Sequence, residues 1–151
     1  MEQPSKTRAQ TLFDVAGGKD KILAMTTAFY GKALADPLLE PLFTKGDDDH
    51  AAYLAGWFSV VFGGPQDYLG ERGDLAFVIW KHVEMKITDA QRARWVTLMR
   101  QAAAETDIDP RFMGPFDRFI DQISRSVQEN SHMPRDALAE MLGREVSSTA
   151  P

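Results

Sequence analysis

Strong stop and start signals cut this chain into short helical lengths, and that punctuation limits its fold more than any other feature. Thr11 to Val15 reads as one helical turn ended by Gly17-Gly18, because glycine takes the left-handed cap at little cost. From about Lys19 to Ala35, Ile22, Leu23, Thr26, Phe29, Tyr30 and Ala33 recur at helical spacing on one face. Pro37 ends that helix by restricting Asp36, and Pro37 to Phe43 reads as a compact turn with one short helix. Asp47 or Asp48 caps the next helix, whose stripe is His50, Tyr53, Leu54, Trp57, Phe58 and Val61, and Gly63-Gly64-Pro65 stops it. A polar loop from Gln66 to Gly73 leads to a helix through Leu75, Phe77, Val78, Ile79 and His82. Thr88-Asp89-Ala90-Gln91 has the form of a capping box and opens a helix to about Thr106. Asp109-Pro110 opens the last long one, with Phe112, Phe116, Phe119, Ile120, Ile123 and Val127 inside, and Pro115 requires that helix to begin or bend there. No segment reads convincingly as a strand and no internal repeat is present. The fold class is all-α.

At 151 residues the chain is sized for one domain with one core. Residues 1–10 read as a loose polar extension, 11–130 as the domain, and 131–151 as a tail, helical in part (Met133 to Leu142) and otherwise disordered. A net charge of −5 without a Lys/Arg cluster gives nucleic acid no electrostatic foothold. No apolar run has the length of a membrane span, and the start lacks the apolar stretch of a secretory signal, so the expected location is the cytoplasm. The absence of cysteine removes disulfides, iron–sulfur clusters, thiol catalysis and thioether attachment of a haem.

Taken singly, the candidate residues have plain structural readings. His50 fits a core or rim histidine, His132 a surface one, and Trp57, Phe58 and Phe62 fit the core. Asp47-Asp48-Asp49 lacks the glycine and terminal glutamate of a calcium loop and suits a helix cap. Gly63-Gly64-Pro65 follows a helix, which makes it a terminator and not a phosphate cradle. The three histidines are too scattered for the usual zinc spacings. His82 and Trp95 form the informative pair, thirteen residues apart across a helix break. Two helices meeting there can set an imidazole and an indole N–H on two walls of one pocket, where a haem iron could use both. Without cysteine, such a haem is held non-covalently.

Phe29-Tyr30, Asp36-Pro37-Leu38-Leu39, Phe43, His50, Gly63-Gly64-Pro65 with Tyr68, His82 and Arg94-Trp95 follow one another in one order at compatible spacings. In this the chain resembles the truncated haemoglobins, and within them the second group, over roughly Thr11 to Asn130. The resemblance implies a shortened globin, a two-over-two helical sandwich around haem b. It implies His82 as the proximal iron ligand, and Tyr30 and Trp95 as distal hydrogen-bond donors. It also implies Phe43 packed on the haem face, Phe29 and Leu54 as pocket walls, and Lys81 as partner of a haem propionate. His50 stands where many second-group members have a small residue, so the expectation is that it faces the distal side as a gate or as a sixth ligand. Lys81 stands where arginine is frequent, which weakens bidentate pairing. The segment between Phe43 and His50 is about one residue short, and the loop before His82 correspondingly long.

The residues support that chemistry in their own right. A neutral imidazole suits ferrous iron, and donors aimed at a ligand that takes on negative charge hold it strongly. Tyr30 donates or accepts, whereas Trp95 only donates. Tight holding favours a protein that binds O2, NO and CO and carries out redox chemistry on oxygen, nitric oxide or peroxide, fed by a separate reductase, as a monomer or homodimer. The alternatives are a passive oxygen store, sensor or carrier with the same site, and a cofactor-free helical interaction module in which His82 and Trp95 are core.

Overall fold

In the structure, a computed structural model, residues 10–43, 50–65, 82, 84–134 and 136 are described. The described residues form helices and no strand. In chain order these are α1 (Leu12–Ala16), α2 (Lys19–Leu34), α3 (Glu40–Phe43), α4 (His50–Val61), α5 (Asp89–Glu105), a 3-10 turn (Pro110–Phe112) and α6 (Met113–Ser131). The expected cap at Asp47 or Asp48, the loop carrying Tyr68, most of the helix leading to His82, Lys81, and most of the Met133 to Leu142 segment lie outside the described residues.

Local chemistry sets the helix starts. Thr11 caps α1 through a reciprocal capping box with Asp14, at 3.1 and 3.2 Å. Thr88 and Gln91 form the same box at the start of α5, at 3.0 and 2.9 Å, as the sequence predicts. Each Thr cap contributes about 1 kcal/mol. Gln91 also reaches back to the Leu38 carbonyl (3.3 Å), and Arg94 pairs with Asp36, so the turn after α2 is pinned to α5. Pro115 resolves simply. The 3-10 turn comes first, and Pro115 is the third residue of α6, within the first turn, where helical N–H groups lack intrahelical partners.

Helix α2 packs on both α4 and α5, and α5 packs on α6, giving two helix pairs that face each other through α2 and α5. This is the expected two-over-two arrangement. Its core lies between the pairs: Ile22, Met25 and Phe29 from α2, Phe58 from α4, Met99 from α5, and Phe112, Phe116 and Ile120 from the last stretch are fully buried. A fully buried apolar side chain of this size contributes about 1.5–3 kcal/mol. Phe58 and Phe62 stack at 5.4 Å, and Phe112 and Phe116 at 4.7 Å, in one aromatic cluster. Val61 departs from the expected stripe and is 43% exposed. Helix α4 ends there, and the i+4 run from Phe58 carries Phe62 inward in its place.

The Gly63-Gly64 stop does more than end a helix. Gly63 has φ +101°, and a Cβ there would lie 2.9 Å from the Thr11 side chain. A Cβ on Gly64 would meet the Phe13 ring at 2.7 Å and the Ser59 carbonyl oxygen at 2.8 Å. Missing side chains thus let α1 dock on the end of α4, where the Phe13 N–H donates to the Phe62 carbonyl (2.9 Å).

Candidate functional site

A cavity of about 790 Å³ opens between α2, α4, the segment after His82, α5 and α6. Helical spacing supplies each wall. Phe29 turns inward, and the next residue, rotated by about 100°, brings Tyr30 to the cavity. On α4, His50, Tyr53, Leu54 and Trp57 fall on one face at intervals of three and four. Arg92 and Trp95 share a face of α5, as do Ile123 and Val127 on α6. His82 and the segment Glu84, Met85 and Ile87 complete the enclosure.

Of the residues singled out from sequence, Tyr30, Phe43, His50, Leu54, His82 and Trp95 all line this one space. The Tyr30 ring lies 5.2 Å from Phe43, nearly perpendicular, and 5.6 Å from the His50 imidazole. Phe29 corrects its expected place as a pocket wall. Fully buried, it sits one layer behind, edge-on to Tyr30 (5.2 Å), Phe43 (6.1 Å) and Trp95 (5.6 Å). It backs the wall because the helical turn that points Tyr30 at the cavity points Phe29 into the core.

Polar groups facing the cavity decide what it can hold. Burial pushes the Tyr30 phenol well above its ordinary range, so it stays protonated and able to donate. Neither the Tyr30 hydroxyl nor the Trp95 indole N–H has a hydrogen-bond partner among the described residues. Half-buried donors without partners, set in a largely apolar cavity, suit a small polar ligand held inside. Among the described residues no three metal-ligating side chains gather, so a cage for a bare ion is lacking there. An imidazole facing a cavity of this size fits instead a metal that brings its own macrocycle, such as haem.

Sequence reasoning missed Arg92 and Ser131. Arg92 lies one turn before Trp95 and donates to Ser124 (3.2 Å) while pairing with Asp121 (3.5 Å), which places a guanidinium at the cavity edge. The i−3 spacing from Trp95 was the available signal. Ser131 gave none. It is wholly buried and accepts hydrogen bonds from a segment some 44 residues earlier in the chain.

Comparisons with known proteins agree with the fold. A group 1 truncated haemoglobin from Tetrahymena pyriformis is 31% identical over 65 residues, 42% of this chain, and the chain spans about half (54%) of that curated relative's length. The haemoglobin of Chloroflexus aurantiacus, a thermophilic phototrophic bacterium, superposes with a TM-score of 0.72 at 21% identity, covering 79% of this chain and 98% of its own. The group II truncated haemoglobin of Bacillus anthracis gives 0.68 at 22% identity, over 88% and 95%. These likenesses bear out the resemblance to truncated haemoglobins and, at such identities, speak for the fold. The match that fixes the family runs over residues 11–129, most of the chain: this protein belongs to the bacterial-like globins.

Proposed function

We propose that the chain holds haem b non-covalently through His82, binds dioxygen and related diatomic gases, and uses them in redox chemistry, oxidising nitric oxide or consuming peroxide with electrons from a separate reductase. The globin family implies a haem cofactor. One observation carries the finer reading: His82 shares a single cavity with two donors, Tyr30 and Trp95, that lack partners among the described residues. Bound haem supplies an iron that coordinates diatomic ligands and exchanges electrons with them.

The chain's own groups do the rest. His82 would hold the iron through a neutral imidazole. Tyr30 and Trp95 donate hydrogen bonds to a ligand that gains negative charge, and such charge-assisted bonds are the strong ones. Phe43 would pack on the macrocycle, Leu54 shapes the wall, Phe29 braces the rings from behind, and Lys81, which the resemblance assigns to a propionate, would pair with it. His50, beside Tyr30, gates access to the ligand side. Residues 11–130 carry this activity in the cytoplasm, as a monomer or homodimer.

Absorbance of the purified protein in the ferric, reduced and carbon monoxide forms tests the reading, and a missing Soret band would favour the cofactor-free module. His82→Gly is expected to lose normal haem retention and to regain part of it with added imidazole. An unchanged ferrous spectrum in that variant would show that His82 is not the ligand.

A further inference from the structure

We propose that the C-terminal end of α6 is a positioning clamp for His82, with Ser131 at its centre. The inference rests on the reading of His82 as iron ligand given above.

His82 is joined to the clamp within five residues. Its carbonyl accepts the Met85 N–H (3.2 Å). Next, the Lys86 N–H donates to the Ser131 carbonyl (2.9 Å) and the Ile87 N–H to the Ser131 hydroxyl (3.0 Å). The Ser131 hydroxyl in turn donates to the Gln128 carbonyl (2.6 Å), so both its roles are used. The Ile87 carbonyl is held twice, by the Gln128 amide (3.2 Å) and by His132 Nε2 (2.8 Å), and Gln128 also donates to the Asp89 carboxylate (2.8 Å). The last turn of α6 therefore captures consecutive backbone groups of the strip that follows the ligand.

Backbone conformation shows why that strip needs capture. Glu84 and Lys86 both adopt left-handed φ, 68° and 54°. Residues other than glycine keep such conformations only where their surroundings over-determine them. At Lys86 the surroundings are Ser131 and its neighbours, and the strip around it (Glu84, Met85, Ile87) is itself cavity wall. A slip of Ile87 off Ser131 would release the left-handed turn at Lys86 and with it the anchor of His82. His132 joins the clamp as a donor through Nε2–H, the tautomer that its contact with the Ile87 carbonyl calls for.

The test uses Ser131→Ala, with Ser131→Thr restoring the hydroxyl. Two quantities are read on the haem-loaded chain: amide hydrogen exchange at Ile87, and the ferrous iron–histidine vibration. In Ser131→Ala the Ile87 amide is expected to exchange about 5- to 150-fold faster, the loss expected for an orphaned buried donor. The iron–histidine band is expected to shift or broaden, and both readouts should return in Ser131→Thr. Faster exchange with an unchanged band would overturn the clamp as a positioning device, as would no change in either. A parent protein without an iron–histidine band would instead mark failure of the His82 assignment, and the clamp's role with it. Should Ser131→Ala not fold, Gln128→Ala removes two donors from a half-buried site and is read in the same way.

Discussion

Tyr30 and Trp95 face the cavity with polar hydrogens that nothing else among the described residues uses, so their worth should appear in how long a ligand stays. A hydrogen bond to a charged partner contributes roughly 1.5–3 kcal/mol. Trp95→Phe and Tyr30→Phe each delete one donor while keeping an aromatic filler, and each is expected to speed oxygen release about 10- to 150-fold. Both donors serve one ligand, so the double variant should fall short of the product. Stopped-flow displacement of oxygen by carbon monoxide measures this, and release within about twofold of the parent would favour storage or transport over redox chemistry. His50 has a separable role. Its ring lies 5.6 Å from that of Tyr30, so His50→Ala is expected to speed carbon monoxide association by opening the gate while leaving the ferrous spectrum unchanged. A low-spin bis-histidine spectrum in the parent that vanishes in the variant would make His50 a ligand instead.

At the scale of elements, the junction between α1 and α4 leaves no room for one methyl group. Gly64→Ala puts a carbon against the Phe13 ring and a backbone carbonyl, an overpacking that costs about 1–3 kcal/mol. Gly31→Ala, on an exposed helical turn with open space around it, should instead stabilise by roughly 0.8–1.0 kcal/mol. Paired urea melts distinguish the two, and equal shifts in one direction would refute the packing account. Elements were legible where their causes are local: the Thr88–Gln91 capping box, the glycine stops and the proline after α2 act within a few residues. The α4 stripe was legible as far as Phe58 and failed at Val61, because periodicity does not announce where a helix runs out of partner.

For the molecule as a whole, a cavity of about 790 Å³ lined by aromatic rings is a cost to the empty chain, since its lining atoms lack neighbours. Loading haem is expected to stabilise the fold by about 2.7 kcal/mol at a hundredfold excess over the dissociation constant, a rise in melting temperature of roughly 5–11 °C at this chain length. Calorimetry of stripped and reconstituted protein reads it, and identical melting temperatures would mean that the cavity is not the haem site. Order and spacing picked out Tyr30, Phe43, His50, Leu54, His82 and Trp95, which line one cavity, but the layering behind them was not legible. Phe29 and Tyr30 are adjacent letters, and only packing separates wall from backing. Arg92 and Ser131 escaped for the same reason, their partners lying far along the chain. Phe29 has a consequence of its own. It stands outside the cavity yet touches Tyr30, Phe43 and Trp95 together, so a change of size at this one inert position is expected to shift three cavity-side rings in concert, like a single set-screw behind a panel.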